Sequence, residues 1–347
     1  MSLKTPTVVI TGSGTVTCQS VIKALRIQNE LPVRIVTVDA SDNVAGRYFS
    51  DAFHTVPAAS DPEFVPTLLD ICRRYEARLL VPIVDYEFRP LSLAIEQFRQ
   101  TGCLVAISPP ETIRRANDKL ETDRFFRQYG FPTARTWSAD SAREESAELP
   151  YPVFLKPAID GRSSLDCHVV SSREELVGLL ERLPNSMVQQ MITGCEYTAD
   201  VLADWNSSVI GVVIRERIET KGGVSYKGRT VADPEMEAHV VRMVPLLGLH
   251  GPANIQAFRR GDELFFNEIN PRFSGALALS LAAGFNSPLQ LLKLALGLPV
   301  QTVLGQTEIG LTMLRYWDEV FVDEAGEATL PSYNLAPPAA LLAELAS

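Results

Sequence analysis

The chain has 347 residues, enough for two or three structural units, and 46% of them are hydrophobic, as expected of a protein with a sizeable core. Its formal net charge is -10 and its pI about 5.1. This acidity argues against nucleic acid or an anionic membrane as the main partner, because both attract basic surfaces. No apolar run has membrane-spanning length and the start enters a strand pattern at once, so we expect a cytoplasmic protein.

The cysteines and histidines argue against two kinds of site. The five cysteines and four histidines are scattered, and no pair has the spacing of zinc ligands or of a CxxC motif. We therefore expect reduced thiols and neither a histidine-based metal site nor a Ser-His-Asp triad.

The first hundred residues alternate between buried-strand and helix patterns, which predicts a parallel sheet. The apolar runs Thr7–Thr11 and Val33–Val38 flank a helical stretch, with Gly12 and Gly14 in the first turn and Asp39 after the second strand. Two interpretations stay open, because position 17 of this G-x-G-x-x-G-like turn is not glycine. The turn either belongs to an NAD site or only shapes a βαβ scaffold.

A later strand of this domain, Leu79–Val84, leads to Asp85 and Glu87. Polar residues just past the carboxyl end of a parallel strand lie where α/β sheets bind ligands, so both are candidates for substrate contact. A helix is predicted at Leu91–Gln100. Ser108–Pro110 breaks the alternation, and we place the first domain boundary there.

The middle of the chain carries isolated basic residues near predicted loops. Lys156 is the last residue of a predicted strand, which Pro157 ends. Residues 219–230 give poor helix and strand signals and are predicted to form a loop. Lys227 and Arg229 in this loop, and Arg215 before it, either hold an acidic substrate or phosphoryl group or belong to an ordinary solvated loop.

The most informative stretch is residues 253–275, a predicted hairpin. Two strand-like runs flank a turn at Gly261 and Asp262. Because side chains alternate along a strand, Glu268 and Asn270 share a face, and folding back brings Gln256 opposite Glu268. One carboxylate and two amide oxygens suit a hard cation such as Mg2+. Arg272 follows the strand and could grip a phosphate.

The run FFNEINPRFSGA, together with Gln256, resembles the metal-binding core of ATP-grasp ligases. The resemblance covers about residues 5–300 and is greatest to the branch that contains the carbamoyl-phosphate synthase large subunit and related carboxylate–amine ligases. It implies an α/β ATP-grasp fold, in which a parallel-sheet domain precedes two α+β units that clamp ATP. The implied divisions are residues 1–108, 109–185, 186–300 and 301–347, the last an extension of the preceding lobe.

The resemblance also implies roles for individual residues. The implied catalytic residues are Arg272, Lys156 and Arg215, and the implied ATP-binding residues are Lys119, Lys156, Gly161, Ser163, Ser164, Gln190, Met191, Ile192 and Glu196. The implied metal ligands are Gln256, Glu268 and Asn270. The loop at residues 160–166 departs from the family pattern, because Gly161 is its only glycine and serines stand where glycines are common.

The activity that the resemblance implies is ATP- and Mg2+-dependent ligation of a carboxylate to an amine or thiol through an acyl phosphate. The same ligands would also accept Mn2+. The small-molecule carboxylate and amine are the expected partners, and family analogy points to a homodimer. Three alternatives stay open: a carbamoyl-phosphate synthase-like enzyme acting on bicarbonate, an NAD-dependent oxidoreductase, and a nucleotide-binding regulator without catalysis.

Overall fold

The computed structural model describes residues 5–159, 161 and 166–329. Contacts divide the chain into two units, Met1–Arg315 and Tyr316–Ser347. In the first unit one parallel and two antiparallel sheets follow one another along the chain. This is the α/β architecture that the sequence predicts.

The amino-terminal sheet is parallel throughout, with strand order β3-β2-β1-β4-β5. Its strands are β1 (Thr7–Ile10), β2 (Arg34–Asp39), β3 (Ala52–Thr55), β4 (Ala77–Val81) and β5 (Leu104–Val105). Its helices are α1 (Val16–Arg26), α2 (Phe64–Arg74), α3 (Asp85–Leu93) and α4 (Ile95–Gln100), with a 3-10 helix at Ala45–Phe49. β1 and most of β2 are buried, because helices cover both faces of such a sheet.

Two expectations for this domain need correction. The single helix predicted at Leu91–Gln100 is divided into α3 and α4, and α3 already begins at Asp85. Glu87 is buried in the first turn of α3, where it accepts hydrogen bonds from the Thr11 hydroxyl and the Val84 backbone. Burial raises the pKa of Glu87 to about 7. Glu87 therefore joins α3 to β1 instead of facing a substrate.

A small antiparallel sheet, with order β6-β9-β7-β8, follows two connecting helices. The helices are α5 (Pro110–Asn117) and α6 (Lys119–Gln128); the strands are β6 (Thr136–Ser138), β7 (Val153–Pro157), β8 (His168–Val170) and β9 (Ser186–Gln190). Helices α7 (Ala139–Glu144) and α8 (Arg173–Arg182) pack on the sheet around Leu155, Leu176 and Val188. The predicted domain boundary after residue 185 falls just before β9, although β9 is a central strand of this small sheet. The domain boundaries stay predictions.

A larger antiparallel sheet has the order β14-β13-β10-β11-β12-β15. Its strands are β10 (Cys195–Ala203), β11 (Val209–Lys221), β12 (Val224–Thr230), β13 (Gly251–Arg260), β14 (Glu263–Asn270) and β15 (Thr312–Leu314). Helices α9 (Pro234–Leu247), α10 (Leu277–Ala282) and α11 (Ser287–Ala295) complete the unit. One face packs on α9 through Ile255, Phe266 and Val240. The opposite face joins a second apolar cluster through Leu202 and Val213 and carries polar side chains elsewhere.

The prediction of a loop at residues 219–230 is wrong, because β11 and β12 form a hairpin there. Gly222 and Gly223 make its tight turn with φ of 56° and 77°, the left-handed conformations that a two-residue hairpin turn requires. Cross-strand ion pairs, Lys227 with Glu219 and Arg229 with Glu216, join the charged residues that weakened the strand pattern. Residues 219–230 therefore belong to two strands of the large sheet, beside its polar face.

The second unit, within its described part, contains β16 (Phe321–Val322) paired with β17 (Ala328–Thr329). Among the residues placed by the structure, no helix combines the length and apolarity needed to cross a membrane.

The packing of α6 against β14 gives a stability prediction. Phe126 is 1% exposed and its ring lies 5.8 Å from that of Phe266. We expect Phe126→Ala to lower the free energy of unfolding by about 3–5 kcal/mol, because the cavity adds to the lost apolar burial. Leu93→Ala, at a position 67% exposed, is the control and should change it by less than about 0.5 kcal/mol. Equal effects of the two substitutions in urea titrations would contradict this packing.

Candidate active site

The β13–β14 hairpin has the register that the sequence predicts. Gln256 lies opposite Glu268, and Asn254 lies opposite Asn270. Directly opposed residues of an antiparallel pair project to the same face, so Gln256, Glu268 and Asn270 share the polar face of the sheet. Asn254 was not predicted as part of the site, and its amide accepts a hydrogen bond from Asn270 at 3.2 Å. That hydrogen bond holds the Asn270 side chain in place.

Two lysines come to this face from different elements. Lys119 begins α6, where Asp118 caps the helix and the Lys119 backbone N–H donates to Ala158 at 2.8 Å. Its Nζ lies 3.6 Å from Oε1 of Glu268. Lys156 lies on β7 and is 5% exposed. Its Nζ donates to Oδ1 of Asn267 at 2.8 Å and to Oε1 of Gln189 at 3.2 Å.

The hydrogen-bond partners of Lys156 are uncharged, so no carboxylate in direct contact balances its positive charge. Both acceptors are neutral amides, and sequence reasoning had not singled out Asn267 or Gln189 for this role. Burial, opposed by Glu268 and reinforced by Lys119, lowers the pKa of Lys156 to about 8. Burial also acts to raise the pKa of Glu268, but Lys119 and Lys156 outweigh it, so that this pKa is below its usual value. The site therefore holds an ionised carboxylate between two cationic side chains.

Gly161, the glycine of the predicted phosphate loop, lies against Lys119. A Cβ at position 161 would lie 3.2 Å from Nζ of Lys119 and 3.4 Å from the Pro157 carbonyl oxygen. A larger residue would thus crowd the lysine, which gives this lone glycine of the loop a steric role. Ser163 and Ser164, the other predicted loop residues, lie outside the described residues.

An apolar cavity of about 230 Å³ opens beside Lys156, between the small and the large sheet. Its lining includes Phe154, Val169, Met191, Ile192, Phe258 and Phe265. Flat apolar walls with a nearby cation suit a nucleotide base followed by its phosphates. The backbone N–H of Gln190 already donates to the Arg135 backbone carbonyl at 2.8 Å. Among the three predicted hinge residues, Met191 and Ile192 are thus better placed to offer backbone groups to a base.

Glu196, the predicted ribose-binding acid, lies on the same face as Gln256, two residues before Thr198 on β10. It is ion-paired with Arg217 of β11, whose guanidinium also donates to the Gly223 carbonyl at 2.9 Å. Sequence reasoning had missed Arg217. The β11–β12 hairpin therefore brings an additional basic residue next to the position predicted for the ribose.

Arg215 shares this face but is engaged in a buried network. Its guanidinium donates to Asp200 through Nε at 3.0 Å and to the Ser225 hydroxyl at 2.9 Å. Asp200 also accepts from Ser280 at 2.7 Å. These contacts fix Arg215 as a structural ion pair in this state, and its catalytic role stays a prediction. Arg229 lies opposite Glu216, the neighbour of Arg217 on β11, so it projects to the other side of the sheet, and Lys227 is ion-paired with Glu219.

Arg272, just after β14, joins this strand to the first domain. Its Nε donates to Oδ1 of Asp85 at 2.7 Å, and its Nη1 donates to the Phe273 carbonyl at 3.2 Å. Asp85 therefore does reach the site edge, as its place after β4 predicted, but through Arg272. A substrate anion would compete with Asp85 for the same guanidinium.

The first βαβ turn favours the scaffold interpretation over an NAD site. The Gly14 backbone N–H, which a dinucleotide phosphate would require, donates to Asp39 at 2.9 Å. Asp39 is the acid that an NAD ribose would need. Gly46 also packs on the turn so closely that a Cβ there would lie 2.0 Å from the Ser13 carbonyl oxygen. The turn is thus occupied by the protein's own groups.

The donors near Glu268 fit Mg2+ when phosphates are also present. One carboxylate and two amide oxygens supply hard oxygen ligands. Among the residues whose positions are described, no group of three or more His, Cys, Asp or Glu side chains is arranged to hold a metal. Because a single carboxylate gives little charge, the geometry favours an ion that binds together with a polyphosphate.

Comparison with known proteins agrees with this architecture. Residues 182–315 match the family model "ATP-grasp in the biosynthetic pathway with Ter operon", and residues 8–106 match "PylC-like, N-terminal domain". A biotin carboxylase from Campylobacter jejuni, solved with β,γ-ATP, superposes with a TM-score of 0.70 at 16% identity over 89% of this chain and 74% of that one. An N5-carboxyaminoimidazole synthetase from Staphylococcus aureus, solved with ADP, gives 0.69 at 16% over 88% and 81%.

Sequence relatives point the same way. The carbamoyl phosphate synthase large chain of Deinococcus radiodurans is 25% identical over 68% of this chain, and the amino-terminal section of that protein from Methanopyrus kandleri is 26% identical over 67%. The chain spans 26% and 48% of their respective lengths. These matches show that the chain has an α/β fold of the ATP-grasp type. The chain has an ATP-grasp domain preceded by a PylC-like amino-terminal domain, so the predicted resemblance to ATP-grasp proteins and the predicted fold class are confirmed.

The lowered pKa of Lys156 predicts a pH dependence of nucleotide affinity. Above about pH 8 the unliganded protein loses the Lys156 proton, although an unperturbed lysine keeps its proton up to about pH 10.4. A bound phosphate favours the charged form, so that binding must take up a proton. We expect ADP affinity to fall as pH rises above about 8, by up to about tenfold per pH unit.

Calorimetric titration of ADP with Mg2+ at several pH values would measure this dependence. Lys156→Met is the control, because it removes the titrating group and should leave a weaker affinity that changes little with pH. A wild-type affinity that is constant from about pH 7.5 to about 9.5 would contradict the assigned role of Lys156.

Proposed function

We propose that this chain is an ATP-dependent ligase that activates a carboxylate as an acyl phosphate and joins it to an amine or a thiol. The observation that carries the proposal is the convergence of Lys119, Lys156 and Glu268, with Gln256 and Asn270, beside an apolar cavity. Such a combination provides for a base, a polyphosphate and a divalent ion in one place.

Each group has a defined task in this reaction. Met191 and Ile192 border the adenine, Glu196 takes the ribose hydroxyls, and Gly161 lies beside the phosphates. Lys119 and Lys156 neutralise charge on the triphosphate. Gln256, Glu268 and Asn270 would hold Mg2+, which supplies charge neutralisation between phosphate oxygens.

The chemistry requires positioning more than covalent help from the protein. A substrate carboxylate oxygen attacks the γ-phosphorus, the bond from that phosphorus to the ADP oxygen breaks, and an acyl phosphate forms. The amine then attacks the acyl carbon and loses a proton as inorganic phosphate leaves. Arg272 is placed to orient the carboxylate, because its planar guanidinium can bind two oxygens in exchange for Asp85.

A second candidate substrate is bicarbonate. Carbamoyl phosphate synthase large chains are among the sequence relatives, and biotin carboxylases are among the proteins of similar fold. Bicarbonate would be phosphorylated in the same way as a larger carboxylate. An organic carboxylate is the first choice and bicarbonate the alternative.

The similarity to these relatives and structures also supports proposals about the metal ion, the oligomeric state and the cellular location. Mn2+ would serve in place of Mg2+, because it accepts similar oxygen donors. A homodimer is supported by a structural neighbour, a biotin carboxylase domain dimer with a TM-score of 0.70 at 14% identity over 94% of this chain and 84% of that one. A cytoplasmic location agrees with small, charged substrates.

Substitution of Glu268 tests the proposed reaction. We expect Glu268→Ala to lower turnover at least about a hundredfold, because loss of one such charged contact costs on the order of 2–4 kcal/mol in the transition state. ADP release in pools of carboxylates and amines, with bicarbonate as a separate arm, gives the rate. Glu263→Ala, at the exposed start of β14, is the matched control and should retain activity. A folded Glu268→Ala protein with near-normal turnover would exclude the metal assignment.

A further inference from the structure

Three buried side-chain atoms in the described part of the chain have no hydrogen-bond partner: Thr198 Oγ1, Arg217 Nε and Trp205 Nε1. The first two belong to the polar face of the large sheet. Buried polar groups are normally paired, and a donor on a charged group is especially costly to leave unpaired. Two such atoms on one face therefore indicate a ligand that the protein binds there.

The strand register makes Thr198 and Arg217 neighbours. Thr198 lies opposite Gln256 on one side and opposite Arg215 on the other. Arg217 is two residues beyond Arg215 on β11 and contacts Glu196, which is two residues before Thr198 on β10. Diagonal neighbours of this kind are within reach of long side chains. Thr198 is fully buried, and the Arg217 side chain is 9% exposed.

We propose that Thr198 and Arg217 bind the phosphate tail of the nucleotide between the ribose and the metal. The inference rests on the proposed function, which assigns Glu196 to the ribose and Gln256 to the metal. On the sheet, Thr198 lies between these two positions: one pleat from Glu196 along β10, and one strand spacing from Gln256. A polyphosphate that connects them passes over the hydroxyl of Thr198 and beside the guanidinium of Arg217.

The chemistry of the two groups fits an anion. Arg217 Nε offers an N–H, and a threonine hydroxyl donates to any acceptor oxygen by rotating its hydrogen. Phosphate oxygens are the acceptors that an arginine prefers besides carboxylates. Gln256, opposite Thr198, and Arg217 are long side chains that can change rotamer when a ligand binds. These contacts also add donors to a site whose phosphate loop has a single glycine.

Two threonines on this face make a matched pair for the test. Thr198 and Thr230 flank Arg215 from opposite sides and are 0% and 1% exposed. Thr230 is bonded, since its Oγ1 accepts from the Leu311 backbone N–H at 3.0 Å. Thr198→Val removes an unpaired hydroxyl, whereas Thr230→Val removes a paired one. The two substitutions should therefore have opposite effects on the melting temperature of the unliganded protein and on ADP affinity.

We expect unliganded Thr198→Val to melt at or above the wild-type temperature and to bind ADP with Mg2+ at least about tenfold more weakly. Thr230→Val should melt lower and bind ADP within about twofold of wild type. Thermal melting without ligand and calorimetric titration with ADP, AMP and adenosine are the measurements. The loss in Thr198→Val should be large for ADP and absent for adenosine, because adenosine has no phosphate.

Arg217→Lys is the second variant. It keeps a cation for Glu196 but removes the N–H at the position of Nε, and we expect about tenfold weaker ADP binding with adenosine affinity unchanged. Arg229→Lys, which projects from the opposite side and pairs with Glu216, should bind ADP like wild type. These variants separate the unpaired donor from the general positive charge of the hairpin.

The outcomes distinguish this inference from the function on which it rests. Wild-type affinity for ADP in both Thr198→Val and Arg217→Lys, or an equal loss for adenosine and ADP, would overturn the phosphate contact while leaving the nucleotide site intact. Failure of the wild-type protein itself to bind ADP with Mg2+ would overturn the nucleotide site and the contact together.

Discussion

The pairing of β13 with β14 is the constraint on which the rest of the site depends. It sets Gln256 against Glu268 and Asn254 against Asn270, which gathers the oxygen ligands on one face. A shift of one residue would turn Glu268 into the apolar core between the sheet and α9. The cost of burying that carboxylate fixes the register, so that the same packing that stabilises the domain also positions the proposed metal ligands.

Electrostatic balance links this hairpin to the small sheet. Glu268 is ionised because Lys119 and Lys156 lie near it, and Lys156 remains a strong donor because Asn267 and Gln189 orient it without neutralising it. Without a ligand the carboxylate partly compensates the lysines. A nucleotide and a divalent ion would exchange these partners, the phosphates taking the lysines and the ion taking Glu268. Such an exchange makes nucleotide and metal binding interdependent.

The sequence predicted what depends on local pattern and left out what depends on strand neighbours. Period-two alternation placed Glu268 and Asn270 on one face, and folding back at the turn brought Gln256 opposite Glu268. The β-bulge beside Gln256, which puts Phe266 in the core and Glu268 on the polar face, could not be seen in the sequence pattern. The Gly222-Gly223 turn was missed because charged residues obscured the strands that it joins, although paired glycines are a hairpin signal. Thr198 and Arg217 could not be found, since their proximity arises only when β10 lies between β13 and β11. The pairing of Arg215 with Asp200 has the same origin.

The central claim is that Gln256, Glu268 and Asn270 seat a divalent ion against a nucleotide's phosphates. Anomalous diffraction from crystals grown with ADP and Mn2+ tests it most directly, because the signal locates the ion without reference to the surrounding density. The account predicts an anomalous peak within bonding distance of Glu268 and of at least one of the two amide oxygens, and in contact with phosphate oxygens. A peak elsewhere, or ADP bound away from Lys156, would contradict it.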